Sequence, residues 1–203
     1  MIKKYKKVLK DTILIICARK GSRGIKNKNI IRINNKPLIQ YAFDKINKIN
    51  FPYTCLSTDS KIIQDISKKN KIKVFFKRPK KLSNNIVPKI EVWKHAISQS
   101  EKFYNKKFKY MVDIEVTNPL TTYQDLIKFI KNFLLQKNTV QGQICANLSF
   151  KNPYFNILEK VGDKFIFSKK IGKKTVLSRQ QAPRSYDHIA AFYMFKTSYI
   201  INS

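Results

Sequence analysis

The sequence predicts an α/β fold on an open, mixed and mostly parallel sheet, and three observations carry that expectation. Residues 13–18 (ILIICA) are a continuous apolar run of the kind that forms a strand covered on both faces. Strand-like and helix-like patterns then alternate as β-α-β-α-β through residue 76. A basic, glycine-punctuated loop follows the first strand directly, at the carboxyl end where open parallel sheets bind their ligands.

The character of the chain flips at Arg19. Arg19, Lys20, Arg23, Lys26 and Lys28 crowd cations into ten positions, with Gly21 and Gly24 among them. Glycine supplies backbone conformations that other residues avoid, so a basic glycine loop at a strand end is a place for polyphosphate. Pro37 opens a helical pattern through Leu38, Ile39, Tyr41, Ala42, Phe43 and Ile46, at a first-turn position that tolerates proline. A short strand over 53–58 follows, and Asp59 and Ser60 are placed to cap a helix whose Ile62, Ile63 and Ile66 share one face. Residues 72–76 read as a third strand, 78–88 as a loop, and 89–103 as a helix carrying the only tryptophan, Trp93. A fourth strand over 108–116 is stopped by Asn118 and Pro119. Thr122 and Asp125 have capping-box spacing ahead of the amphipathic Leu126, Ile127, Ile130, Phe133 and Leu134. A fifth strand covers 139–148, Val161-Gly162-Asp163 reads as a hairpin turn, and 189–196 as a late strand.

With 203 residues, a single domain is the default, and such a chain buries a full core without disulfides or metals. Cys17, Cys55 and Cys145 lack metal-ligand spacing, and buried reduced thiols are expected. The formal charge of +30 points two ways. Clustered cations bind phosphate polymers or anionic membranes. Yet the lysines form no single tract, only six of the 42 basic residues are Arg, and Ile and Asn are abundant throughout, the bias of an AT-rich coding sequence. Without aromatic-basic interleaving or a docking motif, no nucleic-acid partner is expected. No stretch approaches the roughly 20 apolar residues that cross a bilayer. The apolar run after the basic N-terminus is too short for a signal-peptide core, so a cytoplasmic protein without a membrane partner is expected.

Neither G-x-x-x-x-G-K-[ST] nor G-x-G-x-x-G is present. Residues 18–29 read A-R-K-G-S-R-G-I-K-N-K-N and lead to N-K-P-L at 35–38. Further on stand Ser57-Thr58-Asp59, Arg78-Pro79 with Leu82-Ser83, and D-I-E-V-T-N-P-L over 113–120. Last come Arg179-Gln180-Gln181-Ala182-Pro183, Tyr186-Asp187 and Ala191-Phe192-Tyr193. In this order, over nearly the whole chain, the stretches resemble the motifs of the acylneuraminate cytidylyltransferases, the CMP-N-acetylneuraminic acid synthetase family.

The resemblance implies a three-layer nucleotide-diphospho-sugar transferase (Rossmann-like) fold, with a small dimerisation extension at about 150–178 and a homodimer. It also implies Mg2+-assisted transfer of CMP from CTP to a 2-keto sugar acid, sialic acid or a related nonulosonic acid, releasing pyrophosphate for lipopolysaccharide or capsule biosynthesis. Arg19 and Lys28 match the family's catalytic, phosphate-contacting positions. Ala18, Gly21, Ser22 and Gly24 match the backbone that approaches the triphosphate, and Asn29 and Arg78 match positions that read the cytidine. On the sugar side Glu115, Thr117, Arg179 and Gln180 match substrate-binding positions. The planar fork of Arg179 suits the sugar carboxylate, its alternative being a structural arginine at a subunit interface. Asp113 and Glu115, two apart on a strand, point to one face: either Asp113 helps to bind a divalent cation there, or the two acids pair with nearby lysines.

Several positions depart from the family pattern. Glu115 stands where many members have Gln, and an acid there repels a sugar carboxylate unless it is protonated or bridged by metal. Thr121 stands where Arg is usual, and Ile189 where Asn commonly precedes the late strand. The sequence ends at Ser203, ahead of the I-D-x-D segment whose carboxylates hold magnesium in the family. Nucleotide binding is therefore expected independently of turnover, and a catalytically silent nucleotide-binding or partner subunit is the alternative. Of the two histidines, His95 is expected to be structural, while His188 beside Tyr186-Asp187 is a candidate substrate contact.

Overall fold

The computed structural model describes residues 7–21, 24–172 and 176–203. The apolar run forms β1 (Thr12–Cys17). The basic loop then passes through a 3-10 turn at Lys28–Ile30 into a small hairpin of β2 (Arg32–Ile33) and β3 (Lys36–Pro37). Helix α1 (Leu38–Ile49), strand β4 (Thr54–Ser57), and helices α2 (Lys61–Lys69) and α3 (Lys89–Tyr104) follow. Next come β5 (Tyr110–Ile114), α4 (Tyr123–Leu135) and β6 (Gly142–Leu148). A hairpin of β7 (Leu158–Val161) and β8 (Lys164–Phe167), the long β9 (Tyr186–Lys196) and α5 (Thr197–Asn202) complete the order.

The main sheet runs β4-β1-β5-β9-β6, with β1 parallel to both β4 and β5 and with β9 antiparallel to β5. The fold is therefore α/β with a mixed sheet whose core is parallel, as the alternation predicts. Side chains alternate across a strand. Ile13 and Ile15 face one way, into a cluster with Trp93, Ala96 and Ile97 of α3, Met111 of β5 and Tyr193 of β9. Leu14 and Ile16, equally buried, face the other way. On that side α1 packs against α4, and Phe129 of α4 meets Phe192, the neighbour of Tyr193, with ring centroids 5.7 Å apart. The capping box of α4 is complete: the Asp125 N–H donates to Thr122 Oγ1 at 3.2 Å and the Thr122 N–H donates to Asp125 Oδ2 at 2.8 Å.

The third strand expected over 72–76 does not form. Leu56 N–H donates to Lys73 O at 3.0 Å, but Lys73 N–H turns to Thr54 Oγ1 at 3.2 Å instead of extending a ladder. The following aromatics leave the sheet edge, Phe75 stacking on Phe103 at 4.2 Å and Phe76 meeting the His95 ring at 4.9 Å. Packing of two phenylalanines on α3 thus outweighs the strand propensity of the segment. Left-handed backbone in the described chain is carried outside glycine by Asn27, Asn34, Asn35, Asn50, Asn105 and Lys71.

By compactness the chain divides into two units, residues up to Ile144 with Ala190–Ser203, and Cys145–Ile189. Within the second unit, Gly162 at φ 60° turns the expected β7–β8 hairpin. Asn152 donates to Pro183 O at 2.8 Å and accepts from Tyr154 N–H at 3.0 Å, stapling the unit's loops. Among the described residues no helix is long and apolar enough to cross a membrane.

Gly142 has a packing reason to lack a side chain. A Cβ there would lie 2.0 Å from Phe195 Cδ1, and that ring is held by Trp93 at 5.6 Å and Tyr199 at 6.1 Å. Gly142→Ala is expected to destabilise the protein by about 1–3 kcal/mol through overpacking. Urea denaturation checks this, and an unchanged midpoint would contradict it.

Candidate active site

Because β1, β4 and β5 run parallel, their carboxyl ends open on one edge of the sheet. A cleft of about 720 Å3 lies at that edge. On one side the loop after β1 contributes Arg19, Gly24, Lys28 and Asn29; on the other stand Glu115 and Thr117, just beyond β5. Arg78 and the start of α3, with Lys89, complete the lining.

The basic loop is tied down at both ends. The Lys20 N–H donates to Asp59 Oδ1 at 2.7 Å, and the Asn29 amide donates to Arg19 O at 3.0 Å, closing the loop on itself. Asp59, read from sequence as a helix cap with Ser60, is thus an anchor for the loop, and Ser60 alone caps α2 through Ile63 N–H. Arg78 is nearly buried: its guanidinium donates to Ser57 Oγ at 2.9 Å and Ser57 O at 2.6 Å, while its own N–H meets Thr58 O at 2.9 Å.

Seven of the residues singled out in the sequence therefore share one cleft: Arg19, Gly24, Lys28, Asn29, Arg78, Glu115 and Thr117. Ala18 is buried behind the loop, its N–H bonded to Ser57 O at 3.0 Å. Ser22 lies outside the described residues. Gly21 and Gly24 do not adopt left-handed backbone; what both have is open space, with nothing within 4 Å of an added Cβ. Arg179 and Gln180 belong to the second unit, where the Arg179 guanidinium donates to Ser149 O at 2.9 Å and lies 5.0 Å over the Phe150 ring. His95 packs edge-on against Phe76, and burial, aided by Arg78 and Lys81, lowers its pKa below the ordinary value.

Under the cleft floor, Asp113 has no solvent exposure. The ammonium of Lys89 is ion-paired with both Asp113 and Glu115, so the lysine-partner alternative describes what stands at this strand end. Burial alone would lower the Lys89 pKa, but Asp113 and Glu115 outweigh it and hold the ammonium charged well above the usual lysine range. Burial, with a lesser push from Glu115, raises the Asp113 carboxyl, and Lys89 opposes that rise. Divalent magnesium needs several oxygen ligands in an open octahedron. Asp113 and Glu115, already bridged by an ammonium, do not fit that demand, and among the described residues no group of three or more His, Cys, Asp or Glu could hold a metal. Cys17 also lines the cleft, but burial, and then the charge of Asp113, push its thiol well above its ordinary value, so it is a poor nucleophile.

Sequence reasoning did not single out Lys89 or Lys45, and it gave Asp59 a different task. The buried Lys45 of α1 donates to Asn118 O and Thr121 Oγ1, both at 2.7 Å, and holds the turn just after Thr117. Thr121, where the resembled family has Arg, is thus met by a cation delivered from another helix.

A tethered basic loop at the parallel strand ends, with acceptors facing it across a cleft and no P-loop, defines an α/β protein of the nucleotidyltransferase class. The family profile described as cytidylyltransferase matches residues 13–200, and the chain belongs to that family. It is 35% identical over 196 residues to the post-translational flagellin modification protein B of Campylobacter coli, covering 96% of this chain and 81% of that protein. It is likewise 35% identical over 194 residues to the CMP-N,N'-diacetyllegionaminic acid synthase of Campylobacter jejuni, covering 95% and 80%. In fold it is similar to a CMP:2-keto-3-deoxy-manno-octonic acid synthetase solved with CTP, at a TM-score of 0.65 and 13% identity, over 95% of this chain and 76% of that one.

Lys45 gives a pH signature. Burial lowers its pKa from the ordinary 10.5 to about 8. Between those two values the unfolded chain binds a proton that the folded chain does not, so this contribution raises stability as pH increases from 8 to 10.5 and is least favourable below 8. Urea denaturation of wild type and Lys45→Met at about pH 7.5 and 9.5 should show the wild type gaining relative to the variant, by roughly the linkage expected for one proton. Equal pH slopes would contradict this.

Proposed function

We propose that the protein transfers CMP from CTP to a nonulosonic acid, a nine-carbon 2-keto sugar acid of the legionaminic or sialic type, releasing pyrophosphate. The observation that carries this reading is the cleft itself, with Arg19 and Lys28 on a tethered loop opposite Glu115 and Thr117. The names of the similar Campylobacter jejuni synthase and of the CTP-bound structure support the nucleotide and the class of acceptor.

In this reading the anomeric hydroxyl oxygen of the sugar acid attacks the α-phosphorus in line, the new P–O bond forms as the bond to the β-phosphate oxygen breaks, and the hydroxyl proton passes to solvent. Positioning and charge neutralisation dominate such a transfer. Arg19 and Lys28 take charge on the triphosphate, and the open space at Gly21 and Gly24 lets the phosphates approach the backbone. Asn29 and Arg78 serve the nucleoside. The planar fork of Arg179, with Gln180 beside it in sequence, serves the sugar carboxylate. Magnesium would enter with CTP as part of the nucleotide substrate and would neutralise charge on the leaving pyrophosphate. The second unit leaves Leu158, Val161, Phe165 and Phe167 of its hairpin exposed, which suits pairing of two copies into a homodimer.

Pyrophosphate release tests the proposal. With CTP and Mg2+, release is expected with at least one of N,N'-diacetyllegionaminic acid, pseudaminic acid and N-acetylneuraminic acid; background rates with all three would sink the reading. Arg19→Met is expected to lower kcat/KM by roughly 10- to 100-fold, the scale of one charge-assisted hydrogen bond.

A further inference from the structure

Lys89 opens α3 behind Pro88, and its side chain reaches the cleft floor at the end of β5. There its ammonium pairs with Asp113 and Glu115 and lies 4.5 Å from the Tyr193 ring centroid and 5.4 Å from that of Trp93. Two carboxylates and two aromatic faces make an enclosure for a cation, and the chain itself supplies the cation.

The two acids are not equivalent. Neither oxygen of Asp113 has a directed hydrogen bond, and the Trp93 indole N–H favours its charged form without reaching hydrogen-bond geometry. Without Lys89, Asp113 would be an unpaired buried charge. Glu115 is 21% exposed and lines the cleft; its N–H is fixed to Ala191 O at 3.0 Å, and Lys89 takes Oε1.

We propose that Lys89 is a resident cation standing where a metal would otherwise bridge Asp113 and Glu115, and that it is a positioning residue which holds Glu115 as a fixed acceptor for O–H or amide N–H donors of the acceptor sugar. The substrate half of this inference rests on the cytidylyl-transfer reading; the metal half does not. With its ammonium shared between the two acids, Lys89 leaves no free cation for a sugar carboxylate at this end of the cleft. A carboxylate accepts and cannot donate, so it selects acids that present a hydroxyl or acylamino N–H here.

Manganese electron paramagnetic resonance on nucleotide-free protein tests the metal half. The wild type is expected to bind no Mn2+ that is lost in Asp113→Asn or Glu115→Gln. Lys89→Ala is expected to gain a Mn2+ site that Lys89→Ala/Asp113→Asn lacks. Mn2+ bound by the wild type and removed by Glu115→Gln, which leaves the Lys89–Asp113 pair intact, overturns the proposal, as does a folded Lys89→Ala that gains no site. Steady-state kinetics test the positioning half. Lys89→Met should raise KM for the sugar acid by at least about tenfold with KM for CTP within about twofold. Lys89→Arg should retain most activity, and Asp113→Asn with Glu115→Gln added to Lys89→Met should recover most of the loss, since neither amide needs a counter-cation. A rise in the KM for CTP instead, or a folded triple variant without recovery, overturns it. If the wild type turns over no sugar acid, the reaction reading fails while the manganese comparison still decides the role of Lys89.

Discussion

A carboxylate with no solvent exposure stands on a central strand, and its need for a counter-charge organises the cleft above it. Asp113 pairs with the first residue of α3, so the ion pair fixes where that helix begins relative to β5. The same helix carries Trp93, Ala96 and Ile97 into the core. Removing one partner of a buried pair costs on the order of 3–5 kcal/mol, a large part of the roughly 5–15 kcal/mol that holds a domain together. Electrostatics at the site and packing of one whole sheet face are therefore coupled through a single lysine side chain.

The opposite wall of the cleft is held differently, by directed hydrogen bonds. Asp59 grips the loop backbone at Lys20, Asn29 closes the loop through Arg19 O, and Arg78 is docked on Ser57 at the end of β4. These bonds hold the Lys20 and Arg19 backbone, Asn29 and the Arg78 guanidinium in place before any anion arrives. Preorganised cations need no rearrangement when charge develops on a leaving group, which is where positioning contributes most to phosphoryl chemistry. One wall is a salt-bridged floor and the other a hydrogen-bonded rim.

Local features of this fold are legible in the sequence and non-local ones are not. The strand over 13–18, the capping box at Thr122 and Asp125 and the turn at Gly162 each depend on residues a few positions apart, and each stands as read. Residues 72–76 have strand propensity, but their fate is decided by Phe103 and His95, far along the chain. The insertion of β9 beside β5 likewise depends on a partner some eighty residues away. At the site, the motif order brings seven residues to one cleft, because strand ends in a parallel sheet converge by geometry. The spacing of Asp113 and Glu115 shows their shared face but not their partner. A lysine after a proline at a helix start has no signature that sets it apart from the other lysines in so basic a chain.

Amino-acid composition reaches into the backbone here. Outside glycine, left-handed residues in the described chain are five asparagines and Lys71, at turns and helix ends that commonly recruit glycine. Glycine codons begin with two guanines, whereas asparagine and lysine codons begin with two adenines. Asparagine is the side-chain-bearing residue that accepts this conformation at least cost, because its amide can bond locally. An AT-rich coding sequence can thus keep the same turns while shedding glycine, at a small conformational cost at each one. The feature that makes the chain look polar and unspecialised is also what lets an ordinary α/β architecture be written in a restricted alphabet.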